Sequence, residues 1–170
     1  DASFAGKAAD VALRPGVAWS EASVGTNAIG TALYERKPIM VRGGEHFYEP
    51  HRVISCAAAP ILDPTGAVMG ARDLSSHASV MPPHTLSMVG LVIDKIEHHL
   101  FEQAFEGLDV LRFHADRSIL GTAREGILVF DGERLVGANR YGIQAITQDW
   151  SAIGRVRFSE VLEGKLSTEQ

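Results

Sequence analysis

Apolar positions recur along this chain with two periods. Ala28, Ile29, Ala32 and Leu33 fall on one helical face. Before them, Gly25 permits a tight turn and Thr26 or Asn27 can cap the first helical amides. The spacing predicts a helix over Thr26–Arg36, with Gly30 inside it where something packs close. Lys37-Pro38 ends the pattern, and Ile39-Met40-Val41 reads as a strand. Arg42-Gly43-Gly44 is a turn, followed by Glu45–Tyr48 in a loop or short helical turn; Pro50–Ile54 is poorly determined. Cys56–Leu62 and Ala67–Ser75 read as two strands joined by Asp63-Pro64-Thr65-Gly66, an antiparallel hairpin. After Met81-Pro82-Pro83 a long helix runs from about His84 to Phe105. Leu86, Val89, Ile93, Ile96 and Leu100 form its seam, and Met88, Leu91, Val92 and Phe101 widen the arc. An arc this broad can cover a sheet and still present a face to another helix.

Beyond Ser118 the texture changes. Gly126–Asp131 and Leu135–Asn139 are short strands around a Gly132-Glu133-Arg134 turn, and Arg140–Thr147 is a helix. At the other end, Asp1–Leu13 reads as an alanine-rich helix stopped by Pro15-Gly16. The expected fold class is α+β: an antiparallel sheet flanked by helices, closed by a long helix, then a second, partial α+β segment. The expected division is 1–105, a linker 106–117, and 118–170.

The strand Cys56–Leu62 is made of small residues where strands favour bulky or branched ones. Either a helix packs unusually close to it or a ligand fills the space above. Trp19-Ser20-Glu21 and the Thr26–Leu33 helix suit the wall of a pocket, and equally a capped helix on a sheet.

With 16 basic and 21 acidic residues and a formal charge of −5, the chain lacks the clustered lysine and arginine that a phosphate backbone calls for. One cysteine, Cys56, excludes an internal disulfide framework and fits a reducing compartment. No apolar run reaches the roughly 18–20 residues needed to cross a bilayer, so a cytoplasmic location is expected. No phosphate-binding Gly-Lys-Ser/Thr loop, nucleophile elbow or basic recognition helix occurs, and no catalytic residue is assigned. Among seven histidines, His98 and His99 are helix neighbours pointing about 100° apart, which is no bidentate pair. His46 follows Glu45 in a loop that can fold over the Cys56 strand. Glu21, His46, Cys56 and Asp73 offer metal-ligating chemistry, yet no spacing shows that they converge, so no metal and no cofactor is assigned. Cys56 alone cannot form and resolve a disulfide, and a cysteine in an apolar strand is usually inert.

The ordered run WSE (19–21), GTNAIGTAL (25–33), EHF (45–47), CAAAPI (56–61), the Asp63–Gly66 turn and Gly70–Leu74 resembles the GAF sensor domain of acetoin-catabolism-type, sigma-54-dependent bacterial transcription regulators. It spans roughly Leu13–Leu100. The Ala138-Asn139-Arg140 strand-to-helix corner resembles the first half of a PAS domain. The resemblance implies a cytoplasmic, non-enzymatic module that senses a small-molecule effector and signals through a helix paired in a homodimer. ATPase and DNA-binding domains would lie elsewhere, with no nucleic acid or membrane contacted by this segment. It also implies that two strands and an opening helix are missing before Asp1. The expected ligand-binding set is Trp19, Glu21, Thr26, Asn27, Ile29, His46, Phe47, Cys56 and Asp73; the expected dimer helix presents Leu86, Val89, Ile93, Ile96 and Leu100. A ligandless dimerisation module, or a metal or redox sensor using Cys56 and His46, are the alternatives.

Overall fold

The computed structural model describes Val11 and residues 13–146 and 149–164. The helix expected over Asp1–Leu13 lies almost entirely outside the described residues. Two three-stranded sheets and the helices around them give an α+β fold, as expected.

After a single helical turn, α1 (Glu21–Val24), comes α2 (Ala28–Glu35). Asn27 caps α2, its side-chain oxygen accepting from the amide of Gly30 at 2.8 Å. Gly30 is needed as glycine. A Cβ there would lie 2.8 Å from the carbonyl oxygen of Trp19 and 2.9 Å from the amide of Glu21. The first sheet has the order β1 (Ile39–Arg42), β2 (Ile54–Leu62), β3 (Val68–His77). β1 and β2 run antiparallel, with Val41 opposite Cys56 and Ile39 opposite Ala58. Between them, short 3-10 turns occupy 43–45 and 49–53.

Both faces of β2 are covered, which accounts for its small residues. Cys56 and Ala58 lie in a cluster with Ala28 and Ala32 of α2, together with Val11, Val41 and Ile54. Ala57 and Ala59 pack with Val89 and Ile93 of α3 (Thr85–Ala104). Small side chains on both sides let two helices approach one strand closely. Of the two explanations for the small residues, close helix packing is the one seen at Cys56, Ala58, Ala57 and Ala59.

This packing takes up part of the face expected for a dimer helix. Val89 and Ile93 are buried and Leu86 partly so, all three against the helix's own sheet, and Ile96 and Leu100 are only partly exposed. The exposed apolar residues of α3 are Met88, Leu91 and Val92, the positions that broaden the arc. Helical periodicity marks an apolar face but does not say which partner covers it.

The second sheet has the order β4 (Asp109–Phe113), β5 (Gly126–Asp131), β6 (Arg134–Ala138), all antiparallel. The expected linker 106–117 therefore contains a strand; Val110 pairs with Val129 and Leu111 with Leu128. The expected strand at 135–139 begins one residue earlier and ends at Ala138, where α4 (Arg140–Ile146) takes over, and α5 (Phe158–Gly164) follows. Leu128, Phe130, Leu135, Ala138, Ile143, Ala152 and Val161 form the core of this part. The chain divides into two compact units, Asp1–Ile61 with Val68–Ile93, and Leu62–Ala67 with Asp94–Gln170.

Candidate functional site

Three buried polar residues of the first unit, His46, His51 and Ser55, lie on β2 and the turns beside it. His46 is 1% exposed and His51 3%. The 3-10 turn at 43–45 positions His46: its ring Nδ1 lies 3.0 Å from the carbonyl oxygen of Gly43, and Ser55 on β2 accepts from the amide of Gly43 at 3.2 Å. A carbonyl only accepts, so Nδ1 carries the proton and Nε2 is left as a bare acceptor. That Nε2 is buried with no hydrogen-bond partner, and so is Nδ1 of His51. The two rings meet edge to face with centroids 6.1 Å apart. Trp19 stacks on His51 at 4.4 Å and 14°, and Tyr48 meets it edge-on at 5.0 Å. Burial lowers the pKa of both histidines, with the mutual repulsion of His46 adding to the effect on His51. Both rings are neutral at pH 7.

A second polar group joins β2 to β3. The Ser75 hydroxyl donates to Asp73 Oδ2, and lies 3.1 Å from the Cys56 sulfur. Asp73 Oδ1 is buried without a partner. Burial raises the Asp73 pKa, and burial together with Asp73 pushes the Cys56 thiol up to about 12. Cys56 is therefore a protonated, inert thiol at neutral pH.

Trp19 and His46 are thus brought to one cluster, with His51 between them. Cys56 and Asp73 are joined through Ser75. Ile29 is partly buried, packed on the same cluster as Cys56 and Trp19. Asn27 is fully buried, but both ends of its amide are taken by backbone: the oxygen by Gly30 and the nitrogen by the carbonyl of Gly25 at 2.8 Å. Glu21 and Thr26 are exposed. Glu21 accepts from the Thr31 hydroxyl, and the Thr26 carbonyl accepts from the amide of Phe47 at 3.2 Å. Phe47 is 74% exposed, and its ring lies against Gly25, where a Cβ would come within 2.3 Å. The metal set Glu21, His46, Cys56 and Asp73 is not assembled: among the described residues no three of His, Cys, Asp or Glu converge.

His51 is the residue that sequence reasoning missed. The signal was Tyr48-x-x-His51 beside a proline, which places both rings on one side of a single 3-10 turn.

In the second unit, Asn139 holds the β6–α4 corner. Its side-chain oxygen accepts from the amides of Ile127 at 2.9 Å and Gly142 at 2.7 Å, and its nitrogen donates to the carbonyl of Glu125 at 2.7 Å. Nearby, Arg140 binds Glu97 through two 2.8 Å contacts. Among the described residues no helix is long and apolar enough to cross a membrane.

The model of the MimR N-terminal domain matches residues 1–98. The chain is 36% identical over 91 residues to the acetoin dehydrogenase operon transcriptional activator AcoR of Bacillus subtilis, covering 54% of this chain and 15% of that protein. It is 31% identical over 140 residues to the acetoin catabolism regulatory protein of Cupriavidus necator, covering 76% and 21%. It is 35% identical over 92 residues to the propane 2-monooxygenase operon transcriptional activator MimR of Mycolicibacterium smegmatis, covering 54% and 16%. The chain spans about a fifth or less of the length of these relatives. Its fold is similar to that in the crystal structure of the E. coli DhaR(N)-DhaL complex, with a TM-score of 0.56 at 15% identity over 94% of this chain and 55% of that one. The chain belongs to the MimR N-terminal-domain family, non-enzymatic regulatory domains of transcriptional activators.

Proposed function

We propose that this chain is the effector-sensing region of a cytoplasmic, sigma-54-dependent bacterial transcription regulator. It binds a small molecule beside Trp19, His46 and His51 and signals through α3 in a homodimer. The observation that carries the reading is the pair of buried imidazole nitrogens without partners, His46 Nε2 and His51 Nδ1. A buried polar atom left unsatisfied costs roughly 1–3 kcal/mol, so a molecule supplying a hydrogen to it gains that much on entry. His46 offers a bare acceptor, which suits a neutral hydroxylated compound. Phe47 on Gly25 is the movable cover, and the outward Met88, Leu91 and Val92 are the dimer contact. A ligand shifts the regulator only by binding one of its states better than the other. The division into a GAF-like sensor and the first half of a PAS-like domain is part of the same proposal, with ATPase and DNA-binding domains elsewhere in the protein.

The test is thermal. A panel of small alcohols, hydroxyketones and carboxylates is added to the purified chain. A hydroxylated member raises the melting temperature, and His46→Ala abolishes the rise. No response across the panel contradicts a sensor role.

A second reading, a ligandless dimerisation module, is favoured by one observation: Cys56 and Ala58 are sealed under Ala28, Ala32 and Val11. Sedimentation of a dimer that no panel member alters, and that Leu91→Asp dissociates, supports it instead.

A further inference from the structure

The β2–β3 hairpin has its strands in one compact unit and its turn, Leu62–Ala67, in the other. The turn holds its own shape. Asp63 Oδ1 accepts from the amides of Thr65 at 2.9 Å and Ala67 at 2.8 Å and from the Thr65 hydroxyl at 2.7 Å. Three further groups of the second unit nevertheless grip it. The amide of Ala138, at the end of β6, donates to the carbonyl of Pro64 at 2.8 Å. The amide of Leu62 donates to Glu97 at 2.7 Å, and Glu97 is the carboxylate that Arg140 binds on both oxygens. Gly66 lies beneath Trp150, where a Cβ would fall 2.3 Å from the indole. Ala138 and Arg140 flank Asn139, whose side chain fastens β5 to α4. The turn therefore touches the second sheet at the corner that Asn139 holds.

We propose that this turn is an obligatory part of the second sheet's fold. The hairpin is then a conformational link through which a change at Asp73, Ser75 and Cys56 alters the Ala138–Arg140 corner. Cys56 and Leu62 lie on one strand, roughly 20 Å apart at ~3.3 Å per residue, so the strand runs directly from the Cys56 group to the gripped turn. The link rests on the sensor reading only for what would shift the hairpin in the cell.

Amide hydrogen exchange on the whole chain tests it, read at Ala138 and Asn139 with the β1–β2 amides as internal reference. Gly66 and Gly107 both have positive φ, +85° and +80°, but a Cβ at Gly107 meets nothing within 4 Å. Gly66→Ala and Gly107→Ala therefore carry similar backbone strain, and only the first collides with Trp150. The expected result is exchange at Ala138 at least tenfold faster in Gly66→Ala, unchanged in Gly107→Ala, with the β1–β2 amides as slow as before. Adding Gly66→Ala to Trp150→Ala has a smaller effect than adding it to the wild type; this arm decides the matter if Gly66→Ala alone fails to fold. Asp73→Asn, at the far end of the hairpin, changes exchange at Ala138 with no ligand present. Unchanged Ala138 exchange in Gly66→Ala or in Asp73→Asn, or a Gly66→Ala effect as large without the indole, overturns the link. A null response to every effector contradicts the sensor reading and leaves the link standing.

Discussion

Asn27 shows how one residue fixes local structure. Its side chain caps α2 and ties back to Gly25, so Asn27→Ala removes a cap and strands a half-buried carbonyl. The expected loss is about 1–2 kcal/mol in urea unfolding, with Asn27→Asp, which keeps the accepting oxygen, losing less. The histidines make a pH prediction. Each titrates near 6.5 unfolded and lower when folded. Between those values the unfolded chain binds the extra proton, so their contribution is intact above about 6.5 and is lost as the pH falls. The melting temperature should drop from pH 7 toward pH 5.5, and His51→Phe, which keeps the ring stack on Trp19, should flatten that drop. Asp73, whose pKa is raised by burial, works with the opposite sign: its contribution is present below the ordinary carboxylate range and is lost as the pH rises. Cys56 should react with a thiol reagent only on unfolding. At this scale the sequence was partly legible. Asn27 declares itself by position, just ahead of an apolar helical face. The partnerless nitrogens of His46 and His51 do not, because which ring atoms meet a carbonyl depends on how two 3-10 turns fold back on β2.

At the scale of elements, α3 has one apolar face on its own sheet and an exposed apolar arc that the proposed function makes the dimer contact. Ile93→Asp places a charge against Ala57 and Ala59 and should unfold the first sheet, seen as lost secondary structure by circular dichroism. Leu91→Asp lies on the outward arc and should leave the melting temperature within a few degrees while lowering the sedimentation coefficient from dimer to monomer. Equal loss of structure in both would contradict this division of the helix. The hairpin, α2 and α3 were readable from periodicity and turn chemistry, since those signals are local. β4 was not: DVLRF follows Gly107 without a turn signature of its own, and its strand conformation comes from pairing with β5. Spacing likewise shows the apolar stripe of α3, and only tertiary packing shows that Val89 and Ile93 lie on the helix's own sheet.

For the whole molecule, the Glu97–Arg140 pair ties the second half of α3 to the start of α4 and to the end of β2. Removing one partner leaves a largely buried charge, so Arg140→Met should cost ~3–5 kcal/mol, and Arg140→Met with Glu97→Gln should recover part of it. A double variant no better than the single one would show the pair to be incidental. The family was legible early because its motifs fall in turns and caps, where only a few residue types meet the backbone's demands. The buried, neutral imidazole of His46 offers its bare Nε2 to an incoming hydrogen-bond donor. Nitrogen-15 NMR of histidine-labelled protein tests it most directly, recorded with and without a small hydroxylated compound that raises the melting temperature. The expected result is an upfield shift of the unprotonated His46 Nε2 resonance, the mark of an imidazole acquiring a donor, and no such shift at His77 or His84. Stabilisation by that compound with the resonances of His46 and His51 unmoved would contradict it.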